Sequence, residues 1–294
     1  MKYRLKGHES FIPREGWVTK GLFAVKEDPK LFWTASGADA LGVGTNMAKS
    51  IRYWLKTARL ITEHQKNGAS LTPVGEVIYK YDPYLEDEFS LWIIHINIVR
   101  NYAQSTSWNV FFNEMNLSRF RREEMVRVMT DLLLESTGEQ MLPERSIRDD
   151  CAAILSMYCG DTEENEDPED KKKSPFSVLG LIEQRNGFFE RKNPDIAGID
   201  PLVLLYLMNG SFDEDREGSG TLFGSVLIDD LTEKKDMAGR ICGLNRILVN
   251  DMLDQLAVKG YVTVNRTAGL DIVYDNRNLQ DHEILEAYYN RQQR

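Results

Sequence analysis

Features typical of secreted, zinc-binding and membrane proteins are scarce in this chain of 294 residues. It has only three cysteines, with no Cys-x-x-Cys pair, and four scattered histidines. These sparse sets argue against a disulfide framework and against a structural zinc site. No run of about 18 apolar residues occurs, so we expect no membrane-spanning helix. Because the amino-terminal MKYRLKGHESF also lacks the apolar stretch of a secretory signal, we expect a cytoplasmic protein with reduced thiols.

Motifs of the common nucleotide-dependent and hydrolytic enzymes are absent as well. There is no Gly-x-x-x-x-Gly-Lys-Ser/Thr phosphate loop, no Gly-x-Gly-x-x-Gly after a strand and no Gly-x-Ser-x-Gly turn. The weak candidates for catalysis are two carboxylate clusters: Asp82, Glu86 and Asp87 in YDPYLEDEF, and the pair Asp149 and Asp150. Carboxylates of this density could hold Mg²⁺ or Mn²⁺ for phosphodiester cleavage. The alternative for the first cluster is structural, since acids stabilise the start of a helix.

A third acidic set is fainter still. Asp229, Asp230, Glu233 and Lys235 resemble the Asp…Glu-x-Lys pattern of nucleases. The spacing between the aspartates and the glutamate is shorter than such sites usually have. The sequence therefore assigns no catalytic residue and no metal ligand set.

Charge is distributed unevenly along the chain. The net charge of −10 disfavours a nucleic-acid partner. Residues 1–82, however, carry 13 lysines and arginines against 8 acids, whereas the other 212 residues carry 23 against 38. This division favours a basic amino-terminal module on an acidic body, with ordinary variation in composition as the alternative. Nonspecific binding to duplex DNA should be weak and sensitive to salt.

The segment LGVGTNMAKSIRYWLKTARLI, residues 41–61, predicts a helix with two different faces. Apolar side chains recur at helical spacing and favour burial of one face: Met47, Ile51, Trp54, Leu55, Ala58 and Ile61. The candidate DNA-binding residues lie on another face and in the turn that follows: Thr45, Asn46, Lys49, Arg52, Tyr53, Lys56, Arg59 and Lys66. A helix that is buried on one side and cationic on the other suits a nucleic-acid groove or backbone. The alternative is a core helix whose cations are merely solvated.

The elements around this helix have the order of a winged helix-turn-helix. Short helices are predicted over 16–25 and 36–41, and a glycine turn with Thr45 or Asn46 as the helix cap follows. Asn67-Gly68 predicts a hairpin, and Thr72-Pro73 opens another helix. We therefore assign 1–82 to a winged-helix DNA-binding domain.

The rest of the sequence predicts a helical middle region and a second, winged-helix-like unit. Residues 83–160 contain the run FSLWIIHINIV and two amphipathic helices, over 119–135 and 146–158, and form a helical body. Residues 161–174 are acidic and then basic, which predicts a mobile loop. Residues 175–294 form a C-terminal helical and winged-helix-like domain, with helices over 201–208, 223–231 and 245–259, a polar loop over 213–220 and a hairpin across 267–269. The predicted fold class is mainly α with small β-hairpins.

Four strings carry a family resemblance: FIPREGWVTKG, LGVGTNMAKSIRYWL, LTPVGEVIYKYDPYLED and SPFSVLGLI. They resemble a bacterial family catalogued as a domain of unknown function and associated with DNA phosphorothioation. Within it they resemble the SspB family of the Ssp phage-defence systems. The resemblance implies that one DNA strand is nicked to allow sulfur incorporation. It also implies three partners: a cysteine desulfurase, an ATP-pyrophosphatase-like sulfur-transfer protein and an ATPase. It assigns no catalytic residue.

Two functions of different class follow. The first is a DNA nicking endonuclease that depends on Mg²⁺ or Mn²⁺, which the family resemblance favours. The second is a non-catalytic DNA-binding adaptor, which the absence of a nuclease motif favours. A transcription regulator is a further alternative, and it would bind two half-sites as a homodimer.

Overall fold

The computed structural model describes residues 2–159, 174–195, 198–219, 224–267 and 269–292, with the backbone alone for 211–219 and 270. These residues form mainly helices, together with three small antiparallel sheets. The chain divides into two compact units, Met1–Lys192 and Asn193–Arg294. The prediction of a mainly α fold with small β-hairpins is confirmed at this level.

The first unit is built from helices that surround one central, apolar helix. Its α-helices are α1 (Trp17–Glu27), α2 (Gly37–Ala40), α3 (Thr45–Thr57), α4 (Pro73–Tyr81), α5 (Glu88–Arg100), α6 (Thr106–Asn113), α7 (Arg122–Thr137) and α8 (Glu144–Tyr158). Short 3-10 helices cover Leu31–Trp33 and Pro175–Leu179. The run FSLWIIHINIV forms α5, and every side chain from Phe89 to Val99 is buried. A helix that is apolar all round belongs in the centre of a core.

The two sheets of this unit are small and antiparallel. Strands β1 (Ile61–His64) and β2 (Gly68–Leu71) form a hairpin in which Ile61 pairs with Leu71. Strands β3 (Arg119–Phe120), β4 (Ile182–Arg185) and β5 (Phe188–Arg191) form a sheet in the order β3-β5-β4. The first hairpin follows α3 directly and therefore positions the residues that lie beside the basic face of that helix.

The amino-terminal elements lie where the sequence predicts them, with one difference in capping. Thr72 caps α4, because its Oγ1 accepts a hydrogen bond from the Gly75 N–H at 3.0 Å. Thr45 and Asn46 do not cap α3, because the helix begins at Thr45 after an extended Gly44 and no side chain accepts a bond from its first turn. The arrangement of these elements as a winged helix-turn-helix stays a prediction.

One predicted helix of this unit begins later than expected, and one hairpin was missed. The helix over 119–135 begins only at Arg122, because Arg119–Phe120 is taken by β3. The β4–β5 hairpin was not predicted, although Asn186-Gly187 is a hairpin dipeptide. The predicted loop over 161–174 lies outside the described residues except for Ser174, and the predicted domain boundaries stay predictions.

The second unit contains helices and one three-stranded sheet of order β6-β8-β7. Its elements are α9 (Pro201–Ser219), β6 (Ser225–Leu227), α10 (Ile228–Glu233), α11 (Ala238–Ile241), α12 (Arg246–Val258), β7 (Val262–Thr267), β8 (Leu270–Asp275) and α13 (Asp281–Gln292). The helix and hairpin predicted over 245–274 are confirmed.

Two predictions for this unit are wrong. The helix predicted over 223–231 is wrong in its first half. Ser225–Leu227 instead forms strand β6, which pairs with β8 and buries only Val226. The loop predicted over 213–220 is also wrong, because residues 213–219 belong to α9, which ends at Ser219. No helix within the described parts of the chain is long and apolar enough to cross a bilayer.

Candidate nucleic-acid interface

Helix α3 separates its apolar and basic side chains as the sequence predicts. Ile51, Trp54 and Leu55 are buried. On the other side the candidate binding residues are accessible to different degrees. Exposed are Thr45, Asn46, Lys49, Arg59 and Lys66, and half-exposed are Arg52 and Lys56. One face is therefore committed to the core, while the other presents cations.

Tyr53 differs from the other candidate binding residues because it is only 5% exposed. Its hydroxyl donates a hydrogen bond to the backbone oxygen of Gln104 at 2.9 Å. Burial and then the negative charge of Asp150 raise the pKa of Tyr53 far above its ordinary value. Tyr53 is thus a neutral ring whose hydroxyl is engaged within the protein.

Glu63 of β1 holds two of the basic side chains of α3. Its Oε1 accepts a hydrogen bond from Arg52 Nε, and its Oε2 accepts one from Lys56 Nζ, both at 2.7 Å. The carboxylate is only 16% exposed. Burial acts to raise the pKa of Glu63, but the hydrogen bonds and charges of Arg52 and Lys56 outweigh it and lower the pKa below its usual range. The Arg52 guanidinium also lies 4.3 Å from the centre of the Trp33 ring.

The remaining cations of this region have no acidic partner among the described residues. Lys49 Nζ donates to the neutral Asn46 Oδ1, at 3.3 Å. Arg59, which follows α3, and Lys66, at the tip of the β1–β2 hairpin, take part in no ion pair within the described part of the chain. Lys49, Arg59 and Lys66 are therefore accessible charges, whereas Arg52 and Lys56 share the charge of Glu63.

A groove of about 380 Å³ runs beside the basic face of α3. Its floor is α3, one wall is the amino-terminal segment 4–9, and the other wall is the turn at 31–38. The charged side chains that line it are Arg4, Glu9, Lys49, Arg52, Lys56 and Glu63. The cations exceed the acids by two, so the groove favours an anionic ligand.

Arg4 is a cation of this groove that sequence reasoning missed. Its Nη1 donates to Gln104 Oε1 at 3.0 Å, and its guanidinium lies 5.1 Å from the centre of the Tyr53 ring. Arg4 approaches α3 only because later contacts fold the segment 4–9 back across the helix. A single arginine near a chain terminus carries no periodic signal that reveals such an approach.

The first carboxylate cluster stabilises local backbone. Asp82 accepts hydrogen bonds from the backbone N–H groups of Glu86 at 2.9 Å and Asp87 at 3.3 Å. Asp82 is buried, and burial is the main cause of its raised pKa. Asp87 caps α5 by accepting from the Phe89 N–H at 2.9 Å, and Glu86 is exposed. These carboxylates therefore have structural partners of the kind that the alternative interpretation expects.

The second pair is also engaged in contacts within the protein. Asp149 forms an ion pair with Lys6 at 2.5 Å, and Asp150 is buried against His8 and Ser107. Among the described residues, no group of three or more histidine, cysteine, aspartate or glutamate side chains is placed to hold a metal ion. With these partners, the candidate carboxylates do not fit a Mg²⁺ or Mn²⁺ site.

Comparison with known proteins identifies a family and a fold. Residues 5–289 match the family described as "Protein of unknown function (DUF4007)". No curated protein matches the chain. A crystal structure of magnesium-ion-bound SspB is similar, with 23% identity, a TM-score of 0.85, and coverage of 97% of this chain and 88% of that one. A second SspB crystal structure has the same identity and coverage and a TM-score of 0.82. At this identity the likeness shows a shared fold.

Proposed function

The chain belongs to the DUF4007 family, and we propose that it binds DNA as a component of a phosphorothioation-based phage-defence system. The SspB-like fold and the family motifs support the link to such a system. The observation that carries DNA binding is the exposed basic face of α3, with its adjoining groove. The proposed partners are DNA, a cysteine desulfurase, an ATP-pyrophosphatase-like sulfur-transfer protein and an ATPase.

The DNA backbone is the part of the ligand that this surface recognises. Lys49, Arg59 and Lys66 are accessible and supply charge for phosphate contacts. Arg52 and Lys56 contribute less, because each must share its charge between a phosphate and Glu63. In the proposed winged-helix arrangement, α3 faces the DNA and the tip of the β1–β2 hairpin at Lys66 contacts an adjacent phosphate.

Between the two activities, the carboxylate contacts favour the non-catalytic adaptor. Asp82 and Asp87 accept backbone hydrogen bonds, and Asp149 and Asp150 hold the amino-terminal segment. As a non-catalytic adaptor, the protein positions the sulfur-inserting machinery on DNA. Nicking remains the alternative implied by the family resemblance.

DNA binding is tested by fluorescence anisotropy with a labelled duplex over a range of salt concentrations. The variant Lys49→Ala/Arg59→Ala/Lys66→Ala removes the three accessible cations. A control variant, Arg127→Ala/Arg145→Ala/Arg148→Ala, removes the same net charge from exposed positions of α7 and α8. We expect the first variant to lose affinity and to reduce the slope of log K against log salt by about three, because three phosphate contacts are lost. Equal losses in both variants would show that the α3 surface is not the binding site.

Catalysis is tested with supercoiled plasmid, Mg²⁺ or Mn²⁺, and the purified chain with and without the proposed partner proteins. The adaptor predicts binding without conversion to open circles in every mixture. Open circles that depend on the chain would establish the nickase. Alanine variants of Asp82, Glu86, Asp87, Asp149 and Asp150 would then locate any contribution from these carboxylates.

A further inference from the structure

We infer that the groove beside α3 takes one nucleotide of an unpaired DNA strand, with its phosphate at Lys49, Arg52 and Lys56 and its base at Phe32. This inference rests on the proposed function and specifies the form of DNA that the groove recognises. It distinguishes two parts of the basic surface, one inside the groove and one outside it.

The shape of the groove is the first support. A recognition helix contacts base edges in a duplex through its amino-terminal residues. Here Thr45, Ala48 and Lys49, in the first half of α3, line a recess that is flanked by the segments 4–9 and 31–38. The volume of about 380 Å³ lies within the usual range for small-ligand sites, roughly 300–1,000 Å³. A recess of this size accommodates a single nucleotide better than the surface of a duplex.

The charges of the groove match a phosphodiester. Lys49, Arg52 and Lys56 line the floor of the recess on α3, and Arg4 lines the wall formed by the segment 4–9. Both oxygens of Glu63 are engaged by Arg52 and Lys56, so this acid holds the two side chains at the groove and takes up part of their charge. Fixed arginine and lysine groups bind phosphate oxygens through charge-assisted hydrogen bonds.

An aromatic ring lines the groove together with these charges. Phe32 is half-buried and lines the groove, and its neighbour Trp33 is 46% exposed and covers the Arg52 guanidinium. Proteins that bind single strands combine a positive groove with aromatic rings on which bases stack, and they tolerate many sequences because every base has a π-face. The groove has this combination, because Phe32, Lys49 and Arg52 all line it.

The walls of the groove are fixed before any ligand binds. The Ala69 N–H of β2 donates to the backbone oxygen of Pro29 at 2.7 Å, which holds the chain just before the 31–38 turn. On the other side, Trp54 Nε1 and Ser50 Oγ both donate to the backbone oxygen of Phe11, at 2.9 and 3.2 Å. A preformed recess loses little conformational entropy when it is filled.

The experiment compares a labelled oligothymidylate with a labelled blunt duplex for each variant by fluorescence anisotropy. Phe32→Ala removes the stacking ring without a change in charge, and Phe32→Tyr restores a ring. Arg59→Ala/Lys66→Ala removes cations outside the groove and is the matched control. Circular dichroism melting curves of each variant verify that the fold is retained.

We expect Phe32→Ala to weaken oligothymidylate binding about tenfold, to leave duplex binding within about twofold, and to be rescued by Phe32→Tyr. We expect the control to weaken duplex binding more than oligothymidylate binding. If Phe32→Ala, in a folded protein, leaves oligothymidylate binding unchanged or weakens both forms equally, the inference is overturned while DNA binding stands. If the wild-type chain binds neither form, the proposed function itself fails.

Discussion

Nε2 of His8 lies 2.8 Å from Oδ1 of Asp150, a residue of α8 that is 142 positions away in the chain. The other oxygen of this carboxylate accepts a hydrogen bond from Ser107 Oγ at 2.5 Å, and Oδ1 also accepts from the Lys6 N–H at 3.0 Å. Both His8 and Asp150 are fully buried. One buried carboxylate therefore attaches the amino-terminal segment to the helical body, and this segment forms a wall of the α3 groove.

The first prediction concerns this attachment. Asp150→Ala leaves the buried imidazole of His8, the hydroxyl of Ser107 and the Lys6 N–H without their acceptor. We expect the free energy of unfolding to fall by about 3–5 kcal/mol, the cost of breaking a buried charged network. The neighbouring Asp149 is 31% exposed and pairs with the half-exposed Lys6, so Asp149→Ala should cost at most about 1 kcal/mol. Urea denaturation of both variants measures the difference, and similar losses would contradict the assigned role of Asp150.

A second prediction concerns the competition between Glu63 and a DNA phosphate. Glu63→Gln removes the negative charge that lies 2.7 Å from both Arg52 and Lys56. We expect DNA affinity to rise several-fold at low salt and to depend more steeply on salt concentration, because two cations become available to phosphate. The control is Glu76→Gln, which removes a more exposed acid that pairs with one cation, Lys26. Weaker DNA binding by the Glu63 variant would mean that binding requires the intact ion pairs of Glu63 with Arg52 and Lys56.

The pH dependence of stability provides a third prediction. Since Arg52 and Lys56 lower the pKa of Glu63 below its ordinary value of 4.5 in spite of burial, the unfolded chain binds a proton more readily at this position than the folded protein does. The stabilisation from ionised Glu63 is therefore complete above pH 4.5 and is lost as the pH falls through the lower folded-state pKa. The difference in unfolding free energy between wild type and Glu63→Gln, about 1 kcal/mol at neutral pH for a partly exposed pair, should vanish in that acidic range. A difference that stays constant down to pH 3 would contradict this account.

The fold of the first unit could be predicted where local patterns decide the structure. The apolar spacing of Ile51, Trp54 and Leu55 identifies the buried face of α3, and Thr72-Pro73 identifies the start of α4. These signals are local, so tertiary contacts do not alter them. By contrast, β6 is a three-residue strand whose pairing with β8 depends on a partner about 45 residues later in the chain. Its apolar residues are equally compatible with a helix, and the sequence alone favoured the wrong element.

The candidate site was only partly predictable for the same reason. The basic face of α3 follows from the spacing of Lys49, Arg52 and Lys56 within one helix. The contact of Glu63 with two of these cations depends on where the β1–β2 hairpin packs, and the approach of Arg4 depends on the buried Asp150. Sequence spacing therefore identifies which cations share a face, but not which acids or walls surround them.

The last prediction uses two Asn-Gly hairpin turns that differ in their surroundings. Gly68 and Gly187 both have positive φ angles, 85° and 74°. A Cβ at Gly68 would lie 2.1 Å from the backbone oxygen of Pro29, whereas a Cβ at Gly187 would meet no atom within 4 Å. Gly187→Ala should therefore cost only the conformational strain of a left-handed backbone, about 1 kcal/mol.

Gly68→Ala should cost about 3 kcal/mol or more, because two backbone segments must also separate. That separation moves the chain that leads into the 31–38 turn, so we expect Gly68→Ala to weaken oligothymidylate binding, which Gly187→Ala leaves unchanged. Thermal denaturation and anisotropy on both variants measure these effects. Equal destabilisation by the two substitutions would show that the contact between β2 and Pro29 does not support the groove.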